Sequence, residues 1–385
     1  MSKFECSIKI HVMFYINALN GGGAEMHFLR LLVNLDPARF HATLVVGRTG
    51  GAYDQRVPDN VSTIYLEEKS HWKLVRGLRR VIVKDRPHLL FSVMDNANLV
   101  CLAATRLLRS PPKTVVGVQI PPSVQYGGPW WSRGAVLLRS IRALYPRADC
   151  VVALSRGVQG DLLSISPALA DRSEVIYNAG FDKDVVTQSQ QVIERPPDEQ
   201  PLLVACGRLT RQKGFPYLIN AMVEIRKRLP AHLWILGEGE DRDALTRQIR
   251  ETGLSSCVRL LGFQQNPYRF MSAADVFVLS SLWEGFGNVI VEAMACGVPV
   301  VSTACPHGPE EILCHEESGL LVPVADSRSL AAAVMRVLDD GQLRNRLSEV
   351  GQRRAMEFSA EQVARSYEAT FLRVVGEYPD VRIAA

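Results

Sequence analysis

A chain of 385 residues is long for one domain and comfortable for two; 47% hydrophobic and 22% charged residues is the balance of a soluble globular protein that builds its cores without disulfides or metals. No apolar run approaches the roughly 20 residues needed to cross a bilayer. The net charge of +4 hides an asymmetry, since residues 1–180 hold 22 Lys and Arg against 13 Asp and Glu while the remainder holds 22 against 27. A basic first half suits phosphate or an anionic membrane surface, and the missing aromatic-plus-basic modules argue against nucleic acid.

Residues 1–9 carry charge and lead into a short apolar stretch, 10–16, before Asn17 and three glycines. A secretory leader would have a longer apolar core and a small-residue cleavage site. The expectation is therefore a first strand and a cytosolic protein, working at most at the inner face of the cell membrane. Strand-like runs follow at 8–16, 42–47, 63–66, 89–94, 114–119, 150–154 and 175–177, then at 202–206, 233–236, 258–261, 276–280, 299–302 and 320–322. Runs apolar along their whole length are strands covered on both faces, and their alternation with amphipathic stretches predicts parallel sheets flanked by helices.

Periodicity is lost once. Residues 181–200 are polar and proline-rich toward their end and read as a linker between a domain at 1–180 and another at 201–359. Residues 360–377 read as a last amphipathic helix, with Val363, Tyr367, Thr370, Phe371 and Val374 near one face. The eight cysteines (Cys6, Cys101, Cys150, Cys206, Cys257, Cys296, Cys305 and Cys314) form no Cys-x-x-Cys pair and read as buried free thiols. Cys305 and Cys314 flank His307 and His315, but not at the spacing of a compact zinc site.

Doubly wound sheets bind ligands where strands end and turn into helices. Three such turns stand out. Gly21-Gly22-Gly23 follows the first strand and lets backbone amides approach a phosphate, although a plain tight turn explains it equally well. Gly207-Arg208-Leu209-Thr210-Arg211-Gln212-Lys213-Gly214 sets two cations, Arg208 and Lys213, before a helix starting near Phe215, where they can neutralise a diphosphate. Glu284-Gly285-Phe286-Gly287-Asn288 opens a helix holding Glu292 two turns in. That spacing prevents a close carboxylate pair of the glycosidase kind, so each glutamate is expected to accept hydroxyl hydrogen bonds. Apolar neighbours make Glu292 a carboxylate in need of a partner.

These segments, with Glu292-Ala-Met-Ala-Cys-Gly-Val-Pro-Val300 and Ser318-Gly-Leu-Leu-Val322, resemble the donor-site signature of retaining glycosyltransferases of family 4 (glycosyl transferases group 1). The resemblance extends to the glycine loop, to Leu154-Ser155-Arg156-Gly157-Val158 and to Val175-Ile176-Tyr177-Asn178. It implies the GT-B fold, an α/β architecture of two Rossmann-like α/β/α domains with parallel sheets facing a central cleft. Residues 360–385 are then expected to pack back onto the first domain. It further implies that Arg208 and Lys213 hold and stabilise the departing diphosphate, Glu284 touches the transferred sugar, and Glu292 holds the ribose. Gly207, Phe286, Gly287 and Asn288 would line phosphate and sugar, Gly262-Phe263 would meet the base, and Gly22–Gly23 would close over the diphosphate.

One departure from the family pattern stands out. Where many members carry a histidine after the fifth strand, this sequence has Gly117-Val118-Gln119-Ile120-Pro121-Pro122. Gln119 can hydrogen-bond a sugar but cannot titrate, which fits a front-face mechanism in which the departing phosphate takes the acceptor's proton. Asp182–Asp184 and Asp241–Asp243 read as helix-capping turns rather than metal ligands. No metal or other cofactor is expected.

The expected donor is a nucleotide-diphosphate sugar, with UDP favoured, and the expected acceptor is a glycan or lipid-linked sugar. Cations at 73, 76, 80 and 84, with Trp130, Trp131, Arg133, Arg139 and Arg142, suit an anionic membrane; an ordinary surface helix explains the first set too. A sugar-nucleotide epimerase and a non-catalytic nucleotide-sugar binder remain the alternatives to a transferase.

Overall fold

The computed structural model describes residues 9–106, 108–196 and 200–376. The charged start of the chain, residues 1–8 with Cys6, part of the expected linker (197–199) and the end of the chain (377–385) lie outside the described residues. Among the described residues thirteen strands form two parallel sheets. The first holds β1 (Ile10–Ile16), β2 (Phe40–Val46), β3 (Ser62–Tyr65), β4 (Leu89–Val93), β5 (Lys113–Val118), β6 (Cys150–Ala153) and β7 (Ser173–Val175), in the order 3-2-1-4-5-6-7. The second holds β8 (Leu202–Cys206), β9 (His232–Leu236), β10 (Val258–Gly262), β11 (Val276–Leu279), β12 (Val300–Thr303) and β13 (Leu320–Val322), in the order 10-9-8-11-12-13. Each expected strand is present within about two residues of its sequence bounds.

The uniformly apolar strands are explained by what covers them. In β1, Val12, Phe14 and Ile16 enter a core closed by the helices Gly23–Asn34 and Ala360–Val375, whereas Met13 and Tyr15 enter a second core under the helices His71–Asp85 and Asp95–Thr105. Phe14, Phe28, Phe91 and Tyr367 meet edge-on or stacked, with Phe14 and Phe91 centroids 5.3 Å apart. In the second sheet, β8, β9 and β11 pack under the helices Phe215–Arg226 and Ser327–Asp339.

The chain divides into one unit of residues 1–179 and 360–385 and a second of 180–359. The expected linker is corrected in part: Lys183–Ser189 is a helix, capped by Asp182 accepting from the Val185 amide at 3.1 Å, and it belongs to the second unit. Its seven residues are too few to display helical periodicity. At the boundary, Ala179 is gripped by the first helix of the chain: its amide donates to His27 Nδ1 at 2.9 Å and its carbonyl accepts from Arg30 at 3.1 Å.

In each sheet the strand order reverses once, between β1 and β4 and between β8 and β11. Loops leaving the carboxyl ends of those pairs diverge, which opens the crevice where such sheets bind ligands. Gly21–Gly23 follows β1, Arg208–Lys213 follows β8 and Glu284 follows β11.

Candidate active site

The second unit builds its site from two loops stitched together. Ser280 donates from Oγ to the Lys213 carbonyl at 2.8 Å, the Leu282 amide donates to the Gln212 carbonyl at 2.8 Å, and Gln212 Nε2 donates to the Trp283 carbonyl at 3.0 Å. Gly214 makes this approach feasible, because a Cβ there would lie 2.1 Å from the Ser280 carbonyl oxygen and its φ is +60°. The stitched loops bring Lys213 Nζ to 2.6 Å from Glu284 Oε1, in a pair whose side chains are only 14% and 8% exposed. Ser281 Oγ donates to the same oxygen at 2.6 Å.

Arg208 is exposed beyond the end of β8 and makes no ion pair among the described residues. Gly207 leaves room for the Lys213 stem, since a Cβ there would lie 2.9 Å from its Cε. Gly287, at φ +103°, turns the chain into the helix Asn288–Ala295, and Phe286 is buried against the Phe358 ring at 5.4 Å. Glu292 is the fifth residue of that helix, nearer one turn in than the two expected, and Tyr268 Oη lies 3.5 Å from its Oε1. Phe263 stands 50% exposed after β10, as an aromatic face open to a flat partner.

Three thiols report the field here. Burial pushes Cys206 up to about 12, with the charge of Glu292 adding and that of Lys213 opposing. Burial does the same for Cys296, helped by Glu292, and for Cys305, helped by Glu284. These thiols stay protonated at neutral pH, so none is a nucleophile. The reading of every cysteine as buried needs correction, because Cys314 is exposed and Cys206 and Cys296 are half-buried. Asp241 precedes the helix Arg242–Glu251 without a side-chain capping bond, unlike Asp182. Among the described residues no three His, Cys, Asp or Glu side chains gather as a metal set would.

In the first unit, Gly22 precedes the helix Gly23–Asn34, and Glu25 folds back so that a Cβ on Gly22 would lie 2.5 Å from its carboxylate. That helix N-terminus therefore already faces an anion of the protein's own. Gln119 is buried and accepts from Asn178 Nδ2 at 3.0 Å.

The sequence reading missed a buried polar cluster one strand away. Tyr145 Oη donates to Asp95 Oδ1 at 2.5 Å, Asn98 Nδ2 donates to Tyr145 Oη at 3.1 Å, and Ser92 Oγ donates to Asn98 Oδ1 at 2.8 Å. Burial raises the Asp95 carboxyl to about 6, against hydrogen bonds from Tyr145 and Tyr126 that lower it. Met94, just before it, has φ +70°, an unusual backbone for a residue with a Cβ. The signal was available, since Asp95 follows an apolar strand at the switch point.

Two family profiles match the chain. The Glycosyltransferase Family 4 profile matches residues 21–180 and the Glycosyl transferases group 1 profile matches residues 186–354. The chain is 33% identical over 278 residues to the N-acetylgalactosamine-N,N'-diacetylbacillosaminyl-diphospho-undecaprenol 4-alpha-N-acetylgalactosaminyltransferase of Campylobacter jejuni, covering 71% of this chain and 73% of the relative. It is 36% identical over 225 residues to the lipopolysaccharide core biosynthesis glycosyltransferase LpsE of Rhizobium meliloti, covering 58% of this chain and 64% of the relative. Among solved structures, Anabaena HepE in complex with UDP and glucose superposes with a TM-score of 0.78 at 22% identity, over 94% of this chain and 100% of that one. Sucrose-phosphate synthase of Thermosynechococcus elongatus superposes with a TM-score of 0.81 at 22% identity, over 96% and 100%.

The fold is therefore GT-B, with two α/β units each built on a parallel sheet. The chain belongs to the glycosyltransferases of family 4, group 1, and is a glycosyltransferase.

Proposed function

We propose that the protein transfers a hexose or N-acetylhexosamine from a UDP-sugar to a hydroxyl of a lipid-linked or polysaccharide-precursor glycan, with retention and without a metal ion. The observation that carries this is the Lys213–Glu284 pair at the switch point of the second sheet, beside the exposed cation of Arg208. Arg208 and Lys213 neutralise the diphosphate as the bond from C1 to the phosphate oxygen breaks. Glu284 accepts a hydroxyl hydrogen bond from the moving sugar and Glu292 holds the ribose. Amides of Phe286, Gly287 and Asn288, beside Gly207, line the phosphates, while Phe263 meets the base.

The acceptor oxygen forms its bond to C1 on the face the phosphate leaves, and its proton passes to the departing phosphate oxygen. Gln119, which has no titratable proton, leaves that task to the phosphate. Support for UDP comes from the HepE complexes with UDP and with UDP-glucose, and support for a lipid-linked acceptor from the diphospho-undecaprenol named for the Campylobacter relative. Among the described residues no helix is long and apolar enough to cross a membrane. The exposed Trp72, Arg76, Arg80, Val83 and Lys84 on one helix suit peripheral contact with anionic lipid at the inner face of the cell membrane.

A panel of UDP-, GDP- and ADP-sugars tests the reading by thermal stabilisation and nucleotide release, with and without EDTA. UDP-sugars that stabilise and turn over equally in EDTA support it. Turnover restored only by a divalent ion removes the metal-independent mechanism, and turnover of a GDP- or ADP-sugar alone removes the UDP assignment.

A further inference from the structure

Glu284 has two carboxylate oxygens, and the described residues donate to one of them. Lys213 Nζ and Ser281 Oγ both donate to Oε1 at 2.6 Å, and among the described residues Oε2 accepts no hydrogen bond. The two donors differ in freedom. Lys213 ends a four-carbon stem and is expected to turn toward a diphosphate when the donor binds. Ser281 has no such reach: it is fully buried, and its carbonyl accepts from Thr303 Oγ1 at 2.6 Å, which ties it to the end of β12. Ser302 and Thr303 are buried as well, so the seat of Ser281 is packed from below.

Resting on the donor-site reading above, we propose that Ser281 is a positioning residue that fixes the Glu284 carboxylate. When Lys213 engages the diphosphate, Ser281 retains Oε1 and so keeps Oε2 as the oxygen offered to the sugar. Without that hydroxyl a carboxylate released by Lys213 rotates about its last torsion, which is broad and roughly two-fold for Glu, and the sugar contact is lost as the transition state forms. Ser281 thus acts only through Glu284 and touches no substrate. The effect belongs on kcat, because Ser281 acts through a carboxylate assigned to the sugar rather than to the nucleotide.

A double-mutant cycle reads this coupling directly. Wild type, Ser281→Ala, Ser281→Thr, Glu284→Ala and Ser281→Ala with Glu284→Ala are compared for UDP release from whichever of UDP-glucose, UDP-galactose and their N-acetyl forms wild type turns over fastest. UDP affinity and thermal unfolding are measured on each. The expected result is a loss of about tenfold in kcat for Ser281→Ala, the size of one hydrogen bond to a charged group. UDP affinity should stay within about twofold, and Ser281→Thr, which keeps the hydroxyl, should recover most of the rate. In the Glu284→Ala background Ser281→Ala should change kcat by less than about twofold. An equal loss in both backgrounds, or wild-type kcat in Ser281→Ala, overturns the proposal while leaving the donor-site reading intact. Full activity in Glu284→Ala overturns both.

Discussion

Lys213 Nζ and Glu284 Oε1 lie 2.6 Å apart in a nearly buried ion pair whose partners come from two loops of one unit, 71 residues apart in sequence. Each neutralises the other, and removing one leaves an uncompensated charge. Lys213→Ala and Glu284→Ala are each expected to cost about 3–4 kcal/mol of stability, the lower part of the range for breaking a buried pair. The double variant should lie closer to wild type than the sum of the singles, as measured by urea unfolding. Additive losses would show that the pair does not couple.

Arg208 is exposed and carries no such structural burden. Arg208→Ala should keep its unfolding midpoint without ligand and lose most of the stabilisation given by UDP. For wild type that stabilisation is about 2.7 kcal/mol at a hundredfold excess over Kd. An unchanged UDP shift in the variant would remove Arg208 from the diphosphate site.

Gly214→Ala should be poorly tolerated, because its Cβ would meet the Ser280 carbonyl oxygen at 2.1 Å and its φ is +60°. The loops must part, which should cost about 1–3 kcal/mol and reduce transfer with it. A variant with wild-type kcat and stability would show that the stitched loops do not set the site.

Among the described residues all thirteen strands were legible in the sequence, because strands buried on both faces are apolar throughout, and so were the two loops at the switch point of the second sheet, which carry Arg208, Lys213 and Glu284 ahead of the helix that holds Glu292. The less legible features depend on distant partners. The helix Lys183–Ser189 is too short to show a period. The bond from Ser281 to Glu284 and the Asp95–Tyr145 bond, which spans 50 residues, require knowing which loops meet. Glu25 beside Gly22 shows the same limit: three glycines signal an anion site, and the chain supplies a carboxylate there itself.

Two buried groups set opposite pH trends. Burial, with Arg30 adding, lowers His27 from 6.5 to about 3, so its contribution to stability is complete above pH 6.5 and is lost as pH falls toward 3. Asp95 is raised from 3.8 to about 6, so its contribution is complete below pH 3.8 and is lost as pH rises through 6. The two oppose each other between pH 3.8 and 6. Asp95→Asn should therefore gain stability relative to wild type as pH rises from 4 to 7, followed by chemical unfolding across that range. A difference that stays flat with pH would mean Asp95 is ionised throughout.

The central claim, front-face transfer at the Lys213–Glu284 site, is tested most directly by proton NMR of the sugar first released from an α-linked UDP-sugar, before mutarotation. Retention predicts that the α anomer appears first, with release slowed, though still measurable, in Lys213→Ala and Glu284→Ala. Initial appearance of the β anomer would contradict the account.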